Sequence, residues 1–146
     1  MKFKNFNRFK KRLNDRLVVN PRGNAIEAVE RGTSIVRNTA IESITAGGTG
    51  KTYQKYNPRR THTASAANRP PASDTGFLVS QISTSVKPRA DGSVVGQIIS
   101  AAPYSKPLEF GTVNMQPRPF MQPALNRNAR KIKQIFKEEG IITKWA

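Results

Sequence analysis

Between Ser105 and Leu125 the chain reads SKPLEFGTVNMQPRPFMQPAL, with four prolines and one glycine in 21 residues. Each proline fixes its own φ near about −65° and offers no backbone N–H. Neither a long helix nor a central strand can run through such a stretch. Yet Leu108, Phe110, Met115, Phe120, Met121 and Leu125 make it apolar. A connector this stiff and this apolar is expected to fix the element that follows it at one angle, with Phe110, Phe120 and Met121 locking it to a core. That element is a helix from Pro119 to about Glu139, with Met121, Leu125, Ala129, Ile132 and Phe136 on one face and Gly140 as its stop.

Upstream, KFKNFNRFKKRLNDRL spaces Phe3, Phe6, Phe9, Leu13 and Leu17 three or four apart, with Lys and Arg on the other side. This is one stripe of an amphipathic helix. Asn20-Pro21-Arg22-Gly23-Asn24 reads as a break. Asn24 is then a candidate cap for a second helix, with Glu27 as capping-box partner. Its apolar side is Ile26, Val29, Val36, Ala40 and Ile41, and it ends before Gly47-Gly48. Residues 45–72 lack periodicity and read as a long basic loop anchored by Tyr53 and Tyr56. Ser73 or Asp74 is expected to cap a short turn that points Leu78 and Ile82 inward. ISTSVKP and SVVGQIIS then flank Asp91-Gly92, a hairpin signal in which both central positions tolerate positive φ. Pro88 makes the first strand an edge. Ala102–Phe110 is expected to hold one or two helical turns, ended by Gly111. The layout is α+β: N-terminal helices, a small antiparallel sheet with a β-hairpin, and a C-terminal helix packed on it. Residues 1–22 form a basic arm, residues 23–146 one domain, and residues 140–146 a tail with Trp145 as a possible anchor.

Charge narrows the class of partner. The chain of 146 residues carries 25 Lys and Arg against 9 Asp and Glu, a net charge of +16. The excess lies in residues 1–22, 45–72 and 113–146, while residues 23–44 and 73–112 are close to neutral. This pattern suits basic arms on a neutral scaffold, and it makes nucleic acid a natural neighbour. With no cysteine, disulfides and thiol chemistry are excluded. No apolar run approaches the roughly 20 residues of a membrane span, and the basic N-terminus has no apolar stretch behind it to make a secretory signal. No membrane partner is expected, and the protein is read as made and used in a cytoplasm or packed into something assembled there.

Motifs that would carry chemistry are weak here. TAGGTGKT has the look of a phosphate-binding loop, but Thr45 stands where the pattern needs glycine, and a helix rather than a strand precedes it. SDTG has the form of an aspartic-protease signature, but RPPA precedes Asp74 and bulky Phe77 follows, so a turn cap is the better reading. His62 is the single histidine, and no carboxylate or cysteine stands near it in sequence. No metal site, cofactor site, catalytic residue or enzyme activity is expected.

Three further stretches carry a resemblance: HTASAANRPPASDTGFLVSQI, AAPYSKPLEFGT and MQPRPFMQPALNRN. Their order and spacing over about residues 24–135 resembles the neck, or head–tail joining, proteins of long-tailed bacteriophages, also described as tail-completion or minor tail components. The matching positions are Pro71, Asp74, Thr75, Gly76 and Leu78; then Tyr104, Leu108, Glu109, Phe110, Gly111 and Thr112; then Pro117, Pro119, Phe120, Pro123 and Ala124. Phe77 departs from the pattern, where a basic residue is common. The resemblance implies a structural virion protein that forms a ring with copies of itself around the DNA channel. Its neighbours would be connector or head-closure and tail-terminator proteins. The expected junction contacts are Asp74, Gly76, Leu78, Tyr104, Leu108, Glu109, Phe110, Gly111, Pro117, Pro119 and Phe120. Separately, the basic segments offer Lys10, Lys11, Arg12, Lys51, Lys55, Arg59 and Arg60 for contact with phage DNA through its phosphates. The alternative expectation is a non-specific nucleic-acid-binding protein acting through the same arm and loop.

Overall fold

The computed structural model describes residues 21–141. The stripe from Phe3 to Leu17, the cations Lys10, Lys11 and Arg12, and Trp145 lie outside the described residues.

Helix α1 runs from Pro21 to Thr45. It is already helical at Pro21, so Asn24 is an interior residue and not the cap expected for it. Proline is tolerated in a first turn, where its missing N–H has no intrahelical partner to lose. Ala28, Gly32, Val36, Ala40 and Ile44 are buried. That four-residue spacing keeps one side of the helix facing the interior, while the expected Ile26, Val29 and Ile41 are only half-buried beside it. The stripe is built mainly of small residues, and its neighbours come close. At Gly32 a Cβ would lie 3.6 Å from Ile132 Cγ2, an ordinary contact. At Gly96 a Cβ would lie 2.5 Å from both Thr33 Cγ2 and Val29 Cγ1, so the strand backbone rests directly on the helix.

The segment expected to be one long loop holds a second hairpin. Strands β1 (Thr52–Tyr56) and β2 (Arg59–Thr63) pair antiparallel, with Tyr56 opposite Arg59 and a cis peptide between Asn57 and Pro58 at the turn. Neither strand alternates polar and apolar residues, and Asn-Pro is not the Asn-Gly signal of a tight hairpin. Its local sequence therefore lacked both usual cues. A short helix α2 (Phe77–Ser80) follows, with Leu78 buried.

Strands β3 (Ile82–Pro88) and β4 (Val94–Ser100) form the expected antiparallel hairpin, Ile82 opposite Ser100 and Pro88 opposite Val94. Its turn differs in detail. Gly92 N–H donates to the Arg89 carbonyl (3.1 Å), and Arg89 N–H donates to the Ser93 carbonyl (2.8 Å). Gly92 alone takes positive φ, 88°. This is a tight turn followed by a left-handed glycine, a three-residue connection rather than a two-residue one. Asp91 supports it by accepting from the Ser93 N–H and hydroxyl.

Helix α3 (Ser105–Phe110) ends at Gly111, and helix α4 (Met121–Glu138) ends before Gly140, as expected. Helix α4 lies along α1, held by Arg31–Glu139 (2.7 Å) at one end and by Asn128 Nδ2 donating to Thr39 Oγ1 (2.9 Å) further along. The β3–β4 sheet also packs on α1, so α1 is shared between sheet and helix. The core is Val36, Ala40, Ile44, Leu78, Ile82, Ala102, Phe120 and Ala124. Helix α4 is turned relative to its expected face. Ala124 and Ile135 are buried, whereas Leu125 and Ala129 are exposed. Among the described residues, no helix is long and apolar enough to cross a membrane.

The two close glycines lead to opposite expectations. Gly96→Ala should destabilise by roughly 1–3 kcal/mol, because the new methyl overlaps α1. Gly32→Ala should be neutral or stabilise by up to about 1 kcal/mol, since the methyl has room and alanine favours helix. Urea unfolding midpoints of the two variants check the pair.

Candidate functional site

The proline-rich stretch is organised by one carboxylate. Glu109, near the end of α3, accepts hydrogen bonds from the backbone N–H groups of Phe120 (2.9 Å), Met121 (3.1 Å) and Gln122 (2.8 Å). The start of a helix leaves four N–H groups without intrahelical partners. Here three of them go to Glu109, and the fourth position is Pro123, which has no N–H. Helix α4 has no acidic residue in its first turn and no side-chain cap of its own. Its negative counterpart comes from the preceding helix, where it also suits the positive end of the helix dipole.

The intervening loop is closed by backbone bonds. Thr112 and Met115 exchange N–H donations (2.9 and 3.2 Å), Gly111 N–H reaches the Pro107 carbonyl (2.8 Å), and Arg118 N–H reaches the Leu108 carbonyl (2.6 Å). Gly111 has φ 76°, and a Cβ there would lie 2.8 Å from the Met115 carbonyl oxygen and 3.0 Å from Pro117 N. Pro117 accepts from Asn68 N–H (2.9 Å), which ties in the segment after β2. Phe120 is 1% exposed and Met121 packs on the core, as expected of the lock. Phe110 does not belong to it: it is 76% exposed. On so short a helix Leu108 turns inward and Glu109 toward α4, which leaves the next side chain facing out.

The stretch around Asp74 forms a second junction. Its carboxylate pairs with Lys55 and with Arg60 (2.8 Å), and His62 Nδ1 lies 3.7 Å away. Arg60 also donates to the Asp74 carbonyl (3.0 Å). Asp74 is thus a clamp on the β1–β2 hairpin, and the turn cap expected of it is absent; Gly76, at φ 77°, occupies that place without a side-chain bond. Cross-strand pairing puts Lys55 with Arg60 and Tyr53 with His62 on one face of the hairpin. This one carboxylate therefore meets three basic side chains from that face. The hydrogen bond from Lys55, aided by the charge of Arg60, holds the Asp74 carboxyl below its ordinary value.

All three motif stretches contribute to one cavity of about 250 Å³. Pro71, Asp74, Gly76 and Leu78 line it together with Tyr104, Leu108 and Arg118, whose Nε is buried without a partner. Phe77, the departure from the pattern, places its ring 6.1 Å from that of Tyr104. Pro119 and Phe110 instead border a separate apolar cleft. Of the cations expected to meet phosphate, Lys55 and Arg60 are committed to Asp74, whereas Lys51 and Arg59 are exposed, with Lys51 5.7 Å from the Tyr53 ring centre. Val113, fully exposed at the tip of the Thr112–Met115 turn, was not singled out from the sequence. Its only signal there is an apolar residue stranded after Gly-Thr. Among the described residues, no cluster of three His, Asp or Glu side chains is placed to hold a metal ion. Comparison with known protein families, curated proteins and solved structures finds no match.

Glu109→Ala should lower stability by about 1.5–3 kcal/mol, the range for a hydrogen bond to a charged group. Glu109→Gln, which keeps an acceptor without the charge, should lose less. Chemical denaturation of both variants measures this.

Asp74 gives a pH expectation. Its folded value is depressed, so its contribution is present above the unfolded carboxylate value and is lost as pH falls through the folded one. Hydrogen exchange across Thr52–Thr63 should therefore accelerate relative to α1 below about pH 3.8. Asp74→Asn should show the same local loss already at neutral pH.

Proposed function

We propose that this chain is a structural protein of a long-tailed phage neck, assembling as a ring with copies of itself between head connector and tail. The observation that carries the reading is the ordered run of three motif stretches. The packing of those stretches is compatible with it. They converge on one frame built from Glu109, Gly111, Phe120 and the surrounding prolines. A closed ring needs the same angle at every subunit contact, and a frame cross-tied in this way has little freedom to vary it. At its edge the turn carrying Val113 offers an exposed apolar contact that the described residues leave uncovered. Adjacent connector, head-closure and tail-terminator proteins are the partners this reading implies.

A second reading is favoured by a different observation. The net charge is +16, and the β1–β2 hairpin carries exposed Tyr56 and Arg59 at its turn, with Lys51 also exposed. A non-specific nucleic-acid-binding protein would use such groups on phosphates. Its affinity would fall with salt at a log–log slope of roughly −0.9 per phosphate neutralised.

Cryo-electron microscopy of purified virions, with mass spectrometry for presence, tests the first reading. The expected result is a ring at the head–tail junction, and Val113→Asp should fold normally yet give virions without joined tails. A protein absent from virions that binds DNA with the steep salt slope would replace that reading by the second.

A further inference from the structure

The cavity of about 250 Å³ beside Asp74 holds a cation that the fold does not use. Arg118 lines it. This residue stands between Pro117 and Pro119, and a residue before proline is held to extended backbone. Its N–H is also tied to the Leu108 carbonyl (2.6 Å). The side chain is therefore delivered to the cavity from a fixed backbone. Its Nε is buried without a partner, and among the described residues no carboxylate pairs with its guanidinium. The acid in the same lining is already taken, since Asp74 pairs with Lys55 and Arg60. A charged donor withdrawn from water and left unbonded is costly. Arg118 is thus set for an anion that the described residues do not supply.

The rest of the lining narrows the anion. Leu78 and Leu108 are apolar, and the half-exposed rings of Phe77 and Tyr104, 6.1 Å apart, also line the cavity. Such walls suit an apolar, flat body better than a bare ion. Ser65, the buried polar residue of the core, adds a hydroxyl that can donate or accept. One guanidinium matches one carboxylate. A second negative charge, as on phosphate, would meet Asp74 in the same cavity and be repelled by it. The volume sets the size. It is several times the roughly 30 Å³ share of one water, yet below the roughly 300–1,000 Å³ of pockets for drug-sized molecules.

We propose that this cavity binds a single carboxylate carried on a small, flat apolar body, with Arg118 on the carboxylate and Leu78, Leu108, Phe77 and Tyr104 around the body. A free aromatic acid and the C-terminal residue of a partner chain share that chemistry. The inference goes beyond both functional readings and holds or fails without them. Val113, Lys51, Tyr56 and Arg59, on which those readings lean, do not line the cavity.

Titration of full-length, nitrogen-15-labelled protein with sodium benzoate at fixed ionic strength tests this, with benzamide as the uncharged twin. The expected result is saturable shifts of the amide signals of Ala72, Ser73, Leu78, Leu108 and Arg118. Benzamide should bind at least roughly tenfold more weakly, the loss of one charge-assisted hydrogen bond. Arg118→Met should show the same loss for benzoate, while Arg59→Met, an exposed cation outside the cavity, should show none. The benzamide comparison uses the unaltered protein, so it stands even where Arg118→Met fails to fold. Equal binding of benzoate and benzamide, no saturable shift, or shifts confined to residues 51–60 would overturn the proposal. Inorganic phosphate displacing benzoate at equal concentration would overturn it too, since the site would then prefer the second charge. An acetylated alanyl-phenylalanine dipeptide separates the two sources. Binding tighter than benzoate, and lost in the C-terminal amide, would assign the cavity to the end of a partner chain; binding no tighter than benzoate would assign it to a free acid.

Discussion

The three hydrogen bonds from the start of α4 to Glu109 are the constraint on which the rest of this molecule depends. They settle where α4 begins, because the carboxylate and Pro123 together account for every N–H that its first turn leaves open. They also settle which way α4 faces. With Phe120 held in the core one residue before the helix, Ala124 follows it inward and Leu125 is carried out to solvent. The apolar cleft beside β4 is a consequence of that rotation, and so is the outward Phe110, one residue beyond the carboxylate.

Asp74 plays a similar part for the other half of the chain. The β1–β2 hairpin has little apolar surface to bury, and a two-stranded hairpin alone is marginal in water. The bonds from Gly50 N–H to the Ala64 carbonyl and from Ala64 N–H to the Lys51 carbonyl only extend its own ladder past Thr52 and Thr63, and its hold on the body comes from Asp74. In a chain with nine Asp and Glu side chains, Asp74, Glu109 and Glu139 are placed where separate segments must be joined. With 25 Lys and Arg against those nine, positive charge is in large excess over the acidic side chains of the chain, which is the common ground of both functional readings. The readings diverge on the apolar side. A ring component needs a repeated apolar contact, whereas a nucleic-acid-binding protein needs only its exposed cations.

Much of this architecture was legible because its causes are local. Gly47, Gly111 and Gly140 sit at element ends with positive φ, a conformation their lack of Cβ permits. Asp91-Gly92 between β-branched runs located a hairpin, although the turn type depended on a hydrogen-bond pattern that a dipeptide does not specify. The stretch that holds Glu109, Gly111, Pro117 and Phe120 was legible as a stiff, apolar connector through its prolines and glycine. What Glu109 does there was not, since its partners lie 11 to 13 residues away and are backbone groups with no sequence signature.

By itself, then, the sequence determined the order of the elements outside residues 45–72, most of their ends and the separation of basic segments from near-neutral ones, since period, proline, glycine and charge act within a few residues. Tertiary structure alone decided the face that α4 buries, the exposure of Phe110 and Val113, the pairing of Asp74 with Lys55 and Arg60, and the hairpin within residues 45–72. Each of these depends on which distant group satisfies a charge or fills a space. Asp74 reaches Lys55 across 19 residues and Asn128 reaches Thr39 across 89, and no local pattern encodes such meetings.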